Sequence, residues 1–269
     1  MIRRNLSAGP PNSMLPCASS AVDPWITFPR PSSQARLRLF CFPYAGAGAS
    51  VFRTWAGLLP PELEVVAVQL PGRESRLREP PLTRLEDLIE ALSSVLARYL
   101  DRPFAFFGHS LGGLISYELA HRLRLEKGSC PAHLVISGRR PPEVEETDEP
   151  LHLLPDSRLI ERLRVLNGTR DEVFREPEVL AIVLPILRAD FTVCERYRYE
   201  KKPPLPCPLT IYGGENDGYV SSSRLHLWSD HTQNNFRVRL FPGNHFFLNS
   251  ARSLVLQSLA EDLLGEKVC

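Results

Sequence analysis

The strongest chemical signal in the chain is a serine between two glycines, in the run Phe104-Ala-Phe-Phe-Gly-His-Ser110-Leu-Gly-Gly. Gly108, Ser110 and Gly112 form a G-x-S-x-G pattern, whose small residues allow the serine to lie on a strained strand-to-helix turn with its Oγ exposed. The pattern alone is weak, because chance produces it in roughly one chain of this length in twelve. The apolar run before it and the helically spaced leucines after it favour a nucleophile over an ordinary turn with a buried serine.

A serine hydroxyl needs a neighbouring imidazole to remove its proton. In enzymes with this serine turn, the acid and then the histidine follow the serine, each after a later strand. Of the seven histidines, only His226, His231 and His245 lie late enough in the chain. His245 directly follows the strand-like run Phe236–Phe241, whereas no strand immediately precedes the other two. A loop at the carboxyl end of a strand is where ligand chemistry gathers in open sheets, so His245 is the predicted base.

The carboxylate that orients this imidazole and stabilises its protonated form is sought in the loop after the strand candidate Leu209–Tyr212. That loop reads Gly213-Gly-Glu-Asn-Asp217-Gly. Asp217 is preferred to Glu215 because it lies deeper in the loop and can bend back toward the sheet edge. Asp190 remains the alternative, although a structural or helix-surface role suits it better.

Two hydrogen-bond donors are needed for the oxyanion that forms when a serine attacks an acyl group. The amide of Leu111, directly after the serine, is the first. The second is expected in the loop Phe42-Pro-Tyr-Ala45-Gly-Ala-Gly-Ala-Ser50, whose small residues let backbone approach a substrate. Ala45 is the predicted donor and Gly46 the alternative. A nucleotide-binding GxGxxG loop is excluded because the third glycine is missing.

These residues require a scaffold that brings distant loops to one edge. From Arg36 onward, strand candidates alternate with helical patterns. The strand candidates are Leu37–Phe42, Val65–Leu70, Phe104–Phe107, Leu134–Ser137, Leu209–Tyr212 and Phe236–Phe241. Helices are predicted after a Ser50 cap, after a capping box of Thr83 and Glu86, and over about 251–264. The alternation and the near-continuous apolarity of several strands predict an α/β fold, with a mostly parallel sheet and helices on both faces.

Two segments depart from this alternation. Residues 1–34 are rich in Pro, Ser and Ala and are predicted to be a disordered leader, from which Trp25, Ile26 and Phe28 could dock on the domain at 35–269. Residues from about 141 to 203 contain no good strand but two helical patterns, Ser157–Leu166 and Glu178–Tyr197. They are predicted to form a helical lid over the active-site edge, with a structural excursion that gates nothing as the alternative.

Composition narrows the possible functions. The net charge of +1 gives none of the basic footprint that nucleic acid requires, and no apolar stretch approaches the length of a membrane span. No apolar run follows the N-terminal arginines, so no secretory signal is expected. The six cysteines are scattered, without a CxxC or a histidine at metal-ligand spacing. They are interpreted as reduced thiols, which predicts a cytoplasmic protein. Because the spacing of metal ligands is missing, no bound metal is expected.

Six segments together carry a resemblance to a known family. They are Phe42-Pro-Tyr-Ala-Gly, Gln69-Leu-Pro-Gly-Arg-Glu-Ser-Arg, Gly108-His-Ser-Leu-Gly-Gly, Arg188-Ala-Asp-Phe, Gly213-Gly-Glu-Asn-Asp and Gly243-Asn-His-Phe-Phe. With them the chain resembles the type II thioesterases of polyketide and nonribosomal peptide synthesis, which are related to the medium-chain fatty acyl thioesterase. The resemblance implies an α/β-hydrolase fold, a triad of Ser110, Asp217 and His245, and oxyanion donors at Leu111 and Ala45.

The resemblance also implies an activity and a partner. It implies a freestanding editing enzyme that hydrolyses acyl groups from the phosphopantetheine arm of acyl or peptidyl carrier protein domains. The arm belongs to the partner, so no cofactor of the enzyme's own is implied, and a monomer is expected. Because carrier proteins are usually acidic, the cluster Arg73, Arg76, Arg78 and Arg84 is a candidate docking face, with a solvated charged loop as the equal alternative.

Other functions remain open on the sequence. A carboxylesterase or lipase would use the same three side chains, and so would an acyltransferase in which an alcohol or amine replaces water. Only the family-like segments favour a thiol leaving group. A catalytically silent module that binds carrier proteins is disfavoured by the intact serine, aspartate and histidine.

Overall fold

A computed structural model describes residues 23–144, 149–166, 168 and 172–265 of the chain. The described residues form seven strands: β1 Ile26–Thr27, β2 Leu37–Phe42, β3 Leu63–Val68, β4 Phe104–His109, β5 His133–Ser137, β6 Leu209–Gly214 and β7 Phe236–Phe241. The α-helices are α1 Trp55–Leu58, α2 Leu85–Leu96, α3 Leu111–Lys127, α4 Asp156–Leu166, α5 Pro177–Arg196, α6 Phe247–Ser250 and α7 Arg252–Leu264. Short 3₁₀ helices lie at Ala49–Phe52, Glu74–Arg76, Ala97–Tyr99, Leu151–Leu153, Val173–Arg175 and Ser222–His231.

All seven strands lie in one sheet, in the order β1-β3-β2-β4-β5-β6-β7. Strands β2 to β7 pair in parallel, and only β1 is antiparallel, with Ile26 opposite Val68. The predicted α/β-hydrolase fold is therefore confirmed. Bounds agree fully for β2 and β7, whereas β3 begins and ends two residues earlier than predicted. The parallel pairing places the loops after β2, β4, β5, β6 and β7 at one edge of the sheet.

The near-continuous apolarity of the strands is explained by two hydrophobic cores. Successive strand residues point to opposite faces of a sheet. Phe40 and Phe42 accordingly belong to the core under α2 and α3, while Leu39 and Cys41 belong to the core that includes α1 and α7. Both faces of the central strands are covered, so apolar residues are favoured at most of their positions rather than at every second one.

The helix starts predicted from capping residues are wrong. Ser50 lies inside a 3₁₀ helix, and its Oγ donates to Glu74 Oε1 at 2.5 Å instead of capping a helix. Helix α2 begins after Arg84, and no side chain caps it. Because the helix starts one residue later than the capping box requires, Thr83 and Glu86 do not occupy the N-cap and N3 positions of that motif. Glu86 instead lies in the first turn, where its charge suits the helix dipole.

Part of the predicted leader belongs to the sheet. Ile26 is buried in β1, Phe28 packs against the same core, and the Arg76 guanidinium lies 4.1 Å from the centre of the Trp25 ring. Docking of these residues is confirmed, so the folded domain includes residues before the predicted boundary at 35. The rest of the predicted leader, residues 1–22, lies outside the described residues.

Between β5 and β6 the described residues form no strand but a separate helical layer. Helices α4 and α5 and two 3₁₀ turns share a small core of their own, formed by Leu151, Leu154, Leu159, Leu163, Phe174, Leu184 and Leu187. A helical insertion is thus present where the sequence predicts it, and its gating role stays a prediction. Within the described ranges, none of the helices has the length and apolarity of a membrane span.

Candidate active site

Ser110 lies on a strained turn between β4 and α3, with φ 54° and ψ −111°. A Cβ on Gly108 would lie 2.0 Å from the carbonyl oxygen of Gly112, and a Cβ on Gly112 would lie 2.1 Å from that of Phe42. Both positions therefore need glycine because backbone passes closer than any side chain permits. The amide of Ser110 donates to the carbonyl of Ser137 at 2.8 Å, which ties the turn to β5.

The loops after β6 and β7 bring Asp217 and His245 together. His245 Nδ1 lies 2.8 Å from Asp217 Oδ2, and Asp217 Oδ1 accepts from the amides of Tyr219 and Val220 at 2.8 and 3.1 Å. Burial raises the pKa of Asp217, but the hydrogen bonds from His245 and the two amides outweigh it, and the net pKa lies below its ordinary value. The ionised carboxylate holds the imidazole proton on Nδ1, so Nε2 is left to act as the base.

Ser110 and His245 line one cavity at the carboxyl edge of the sheet. The helical insertion supplies apolar side chains to it, namely Leu151, Leu163, Leu166, Leu187 and Phe191. The loops at the sheet edge add Tyr44, Ala45, Gly138, Tyr219, Val220 and Phe246, and the polar groups include Arg139, Arg140 and Glu195. The hydroxyl and the imidazole thus share the cleft that nucleophilic chemistry requires, and the predicted lid segment contributes to its lining.

The two predicted oxyanion donors lie on either side of the serine turn. Leu111 is the first residue of α3, and Ala45 follows β2. Across the described ranges, neither amide donates a hydrogen bond to another protein group. The Gly46 amide, in contrast, donates to Asp190 Oδ2 at 2.7 Å. Because the Gly46 amide is already engaged, the structure favours Ala45 over Gly46 as the second donor.

The alternative acids and bases lie elsewhere. His226 is exposed, and its Nδ1 lies 2.8 Å from the carbonyl of Ser223. His231 is buried between the hydroxyl of Tyr117 and the carboxylate of Glu143, each at 2.9 Å. Glu215 is exposed on its loop, and Asp190 pairs with an arginine rather than with His245. The described part of the chain contains no cluster of His, Cys, Asp and Glu that could hold a metal ion.

The predicted arginine docking cluster is wrong for two of its four members. Arg73 is 3% exposed, and its two terminal nitrogens bind Asp190 at 2.5 and 2.9 Å. Arg76 is 6% exposed, pairs with Glu79 and stacks on a tryptophan ring. Both guanidinium groups are buried inside the domain, so of the four arginines only Arg78 and Arg84 are exposed.

The sequence did not single out His109, which lies beneath the site. Its ring centre is 5.1 Å from that of His245, and its Nδ1 lies 2.9 Å from Ser137 Oγ. Burial lowers the pKa of His109 well below its ordinary value, so the ring is neutral beside the base. A Cβ on Gly138 would lie 2.6 Å from this ring, which ties the loop after β5 to the site as well. Its place directly before Ser110 in the sequence is the feature that could have marked it as part of the site.

Comparison with known proteins shows the family of the chain. Residues 37–263 match the family model for the thioesterase domain. The chain is 43% identical over 244 residues to the gramicidin S biosynthesis protein GrsT of Aneurinibacillus migulanus, covering 91% of this chain and 95% of that one. The solved type II thioesterase BorB, from the borrelidin biosynthetic cluster, matches with a TM-score of 0.82 and 37% identity, over 89% of this chain and 97% of its own. The RedJ thioesterase from the prodiginine pathway of Streptomyces coelicolor matches with a TM-score of 0.82 and 40% identity, over 87% and 94%. Since the match spans most of the folded chain, the protein belongs to the thioesterase family of serine hydrolases.

Proposed function

We propose that the protein is a type II, editing thioesterase of polyketide or nonribosomal peptide biosynthesis. Its substrates are acyl groups carried as thioesters on the phosphopantetheine arm of acyl or peptidyl carrier protein domains. One observation carries the proposal: Ser110 on its strained turn shares a cavity with His245, whose imidazole is held by Asp217 at 2.8 Å. The similarity to enzymes of such pathways points to a thioester rather than an oxygen ester as the substrate.

The first half of the reaction acylates the serine. Ser110 Oγ attacks the thioester carbonyl carbon while His245 Nε2 takes the hydroxyl proton. The oxyanion accepts hydrogen bonds from the amides of Leu111 and Ala45, and each such donor typically lowers a barrier of this kind by about 2.7–4 kcal/mol. The C–S bond then breaks, and the protonated imidazole gives its proton to the departing sulfur.

The second half hydrolyses the acyl-enzyme. His245 removes a proton from water, which attacks the same carbonyl carbon through a second oxyanion at the same two amides. Collapse releases a carboxylic acid and returns the proton to Ser110 Oγ. The phosphopantetheine arm leaves with the partner, so the proposal includes no cofactor of the enzyme's own and no metal.

The walls of the cavity fit an acyl chain. The insertion contributes mainly leucines and one phenylalanine, which favour an apolar group beyond the carbonyl. We further propose that the protein acts as a cytoplasmic monomer, without a nucleic-acid or membrane partner. Cys41, Cys130 and Cys207 form no disulfide among the described residues, which supports the reducing compartment.

The deciding experiment offers the purified protein a panel of acyl-carrier proteins and a matched oxygen ester. We expect carrier thioesters to be cleaved with the higher kcat/KM, and Ser110→Ala to reduce kcat by about 10⁴-fold or more while the carrier still binds. Equal or better hydrolysis of the oxygen ester would favour the carboxylesterase alternative. Aminolysis or alcoholysis outpacing hydrolysis would indicate an acyltransferase. If a fluorophosphonate probe failed to label Ser110, the protein would be a silent binding module.

A further inference from the structure

Four side chains that take no part in the reaction hold the loop that carries Ala45. Arg73 Nη1 donates to the Ala47 carbonyl at 3.5 Å, and the other three accept from loop amides. Asp190 Oδ2 accepts from the Gly46 amide at 2.7 Å, Gln69 Oε1 from the Ala49 amide at 2.9 Å, and Glu74 Oε2 from the Ser50 amide at 3.2 Å. Gln69 and Glu74 belong to the segment after β3, whereas Asp190 comes from α5 in the helical insertion. Asp190 thus joins the insertion to the oxyanion loop by a hydrogen bond.

Asp190 is itself fixed from the opposite side. The Arg73 guanidinium binds both of its oxygens, at 2.5 and 2.9 Å, and also donates to the carbonyl of Pro71 at 3.2 Å. The carboxylate is 1% exposed and the arginine 3%. Removing two charges from water offsets much of the attraction between them, so such a pair is a weak source of stability. Its two-point geometry does fix the direction in which the carboxylate points.

That direction matters because the peptide group between Ala45 and Gly46 lies at the centre of a tight turn. The turn is closed by the Ala47 amide, which donates to the Tyr44 carbonyl at 3.0 Å, and Gly46 has φ 79°, a region that glycine enters at little cost. Its amide belongs to the peptide group directly after Ala45, so the Asp190 hydrogen bond fixes the torsion that follows the oxyanion donor. Leu187, one turn before Asp190, packs on the same glycine, where a Cβ would lie 2.6 Å from its Cδ2.

We infer that Asp190 is a positioning residue: oriented by Arg73, it holds the Gly46 peptide so that the Ala45 amide points at the oxyanion. This rests on the proposed function, because it assumes that the Ala45 amide stabilises the tetrahedral intermediate. It assigns a role to the Arg188-Ala-Asp-Phe and Leu-Pro-Gly-Arg segments, which the triad leaves unexplained. The helical insertion then contributes to catalysis as well as to the cavity wall.

Two double variants test the inference. Asp190→Asn with Arg73→Gln removes both charges but keeps an oxygen that can accept from the Gly46 amide. Asp190→Leu with Arg73→Met replaces the pair with apolar residues, an exchange that often preserves folding, but leaves that amide without an acceptor. The control is Glu64→Gln, because Glu64 also forms a buried pair, with Arg38 Nε at 3.0 Å, at the opposite end of the parallel strands.

The readouts are kcat and KM on an acyl-N-acetylcysteamine thioester, and the affinity for an alkylthio trifluoromethyl ketone. Addition of Ser110 to the ketone gives an oxyanion, whereas KM reflects chiefly the ground state. We expect the apolar pair to lose about 10- to 100-fold in kcat and a similar factor in ketone affinity at little-changed KM, since complete loss of one donor costs about 10²–10³-fold. The polar pair should recover most of both losses, and Glu64→Gln should change neither.

Three outcomes would overturn the inference. They are an apolar pair as active as the parent, equal losses in the two double variants, and a loss that appears in KM alone. Circular dichroism and thermal melts verify that each variant is folded before its kinetics are compared. Failure of the parent protein itself to hydrolyse any acyl thioester would instead count against the proposed function.

Discussion

At the scale of single residues, the two carboxylate oxygens of Asp217 have different roles: one anchors the side chain and the other orients His245. Oδ1 is fixed by the amides of Tyr219 and Val220, so only Oδ2 can face His245 Nδ1. In Asp217→Asn the remaining oxygen is needed by the two amides, and the side-chain NH₂ must face Nδ1. The imidazole then carries its proton on Nε2, the nitrogen that must accept the serine proton. We expect kcat to fall by about 10³–10⁴-fold, measured on an acyl thioester, with a thermal midpoint close to that of the parent.

The matched control for this substitution is Glu215→Gln, two residues earlier in the same loop. Glu215 is exposed and does not line the cavity, so kcat should stay within about two-fold of the parent value. Comparable losses in Glu215→Gln and Asp217→Asn would mean that the loop, and not the oriented imidazole, is responsible.

The order of the catalytic residues along the chain made them predictable, whereas the residues that position the oxyanion loop could not be predicted. Ser110, Asp217 and His245 each follow a strand in a recognisable order, so topology alone brings them to one edge. Arg73 and Asp190 are 117 residues apart, and their contact depends on how the insertion packs. Arginines near one another in sequence resemble an exposed cluster, whereas burial of Arg73 and Arg76 depends on partners that no local pattern marks.

At the scale of elements, the crowded turn between β4 and α3 predicts that a side chain at Gly112 destabilises the fold, whereas one at Gly57 in α1 does not. Ala at position 112 would place its Cβ 2.1 Å from the Phe42 carbonyl oxygen, which belongs to the neighbouring strand and cannot rotate away. We expect Gly112→Ala to reduce the free energy of unfolding by at least about 2 kcal/mol, measured by urea denaturation. Gly57 lies in α1 with open space around the added atom, so Gly57→Ala should be neutral or stabilising by about 0.4–1 kcal/mol. Equal stabilities of the two variants would contradict the crowding at the turn.

The short strand β1 predicts that the N-terminal segment contributes to stability. Trp25 stacks under Arg76 at 4.1 Å, and the neighbouring Ile26 is 3% exposed opposite Val68. Trp25→Ala removes the stacking and part of the apolar contact, for which we expect a loss of about 1–3 kcal/mol in chemical denaturation. Trp25→Phe keeps an aromatic face and should recover about half of that loss. An unchanged midpoint for Trp25→Ala would show that β1 is detached from the sheet in solution.

Strand positions could be predicted from the sequence more closely than helix starts, and the reason is physical. Strands buried on both faces are long apolar runs, and their positions follow from composition, as β2 shows. The edge strand β7 is largely exposed, and its alternation of apolar residues with arginines marks it instead. Helix starts depend on side-chain hydrogen bonds that compete with tertiary contacts. Ser50 illustrates this competition, because its hydroxyl donates a hydrogen bond to Glu74 instead of capping a helix. The strand β1 was missed because two residues between prolines carry no periodicity, and only the edge of β3 makes them a strand.

At the scale of the whole molecule, burial of neutral histidines couples stability to pH. Burial, together with the positive charges of Lys202 and Arg124, lowers the pKa of His121 to about 3. Burial likewise lowers the pKa values of His109 and His133. His121 Nε2 has no hydrogen-bond partner among the described residues, so nothing compensates a proton placed there. The folded protein therefore keeps these rings neutral at a pH at which an exposed histidine is already charged.

The sign of the pH dependence follows from this difference. In the unfolded chain a histidine has a pKa near 6.5, so below that pH the unfolded state binds protons that the folded state does not. The free energy of unfolding should therefore be level above about pH 7 and decrease as the pH falls, by up to about 1.4 kcal/mol per pH unit for each such histidine. The window from pH 7 to 5 is the informative one, because carboxylates add their own contribution below it.

His121→Gln tests this assignment, since glutamine cannot take up the proton. Urea unfolding measured between pH 7 and 5 should show a slope smaller by about one proton than that of the parent. The matched control is His226→Gln, at an exposed histidine whose Nδ1 lies 2.8 Å from the Ser223 carbonyl, and it should leave the slope unchanged. Parallel curves for the parent and His121→Gln would mean that His121 is charged in the folded protein. The cationic side chains beside it argue against that outcome, because a further positive charge there would face Lys202 and Arg124 in an environment largely closed to water.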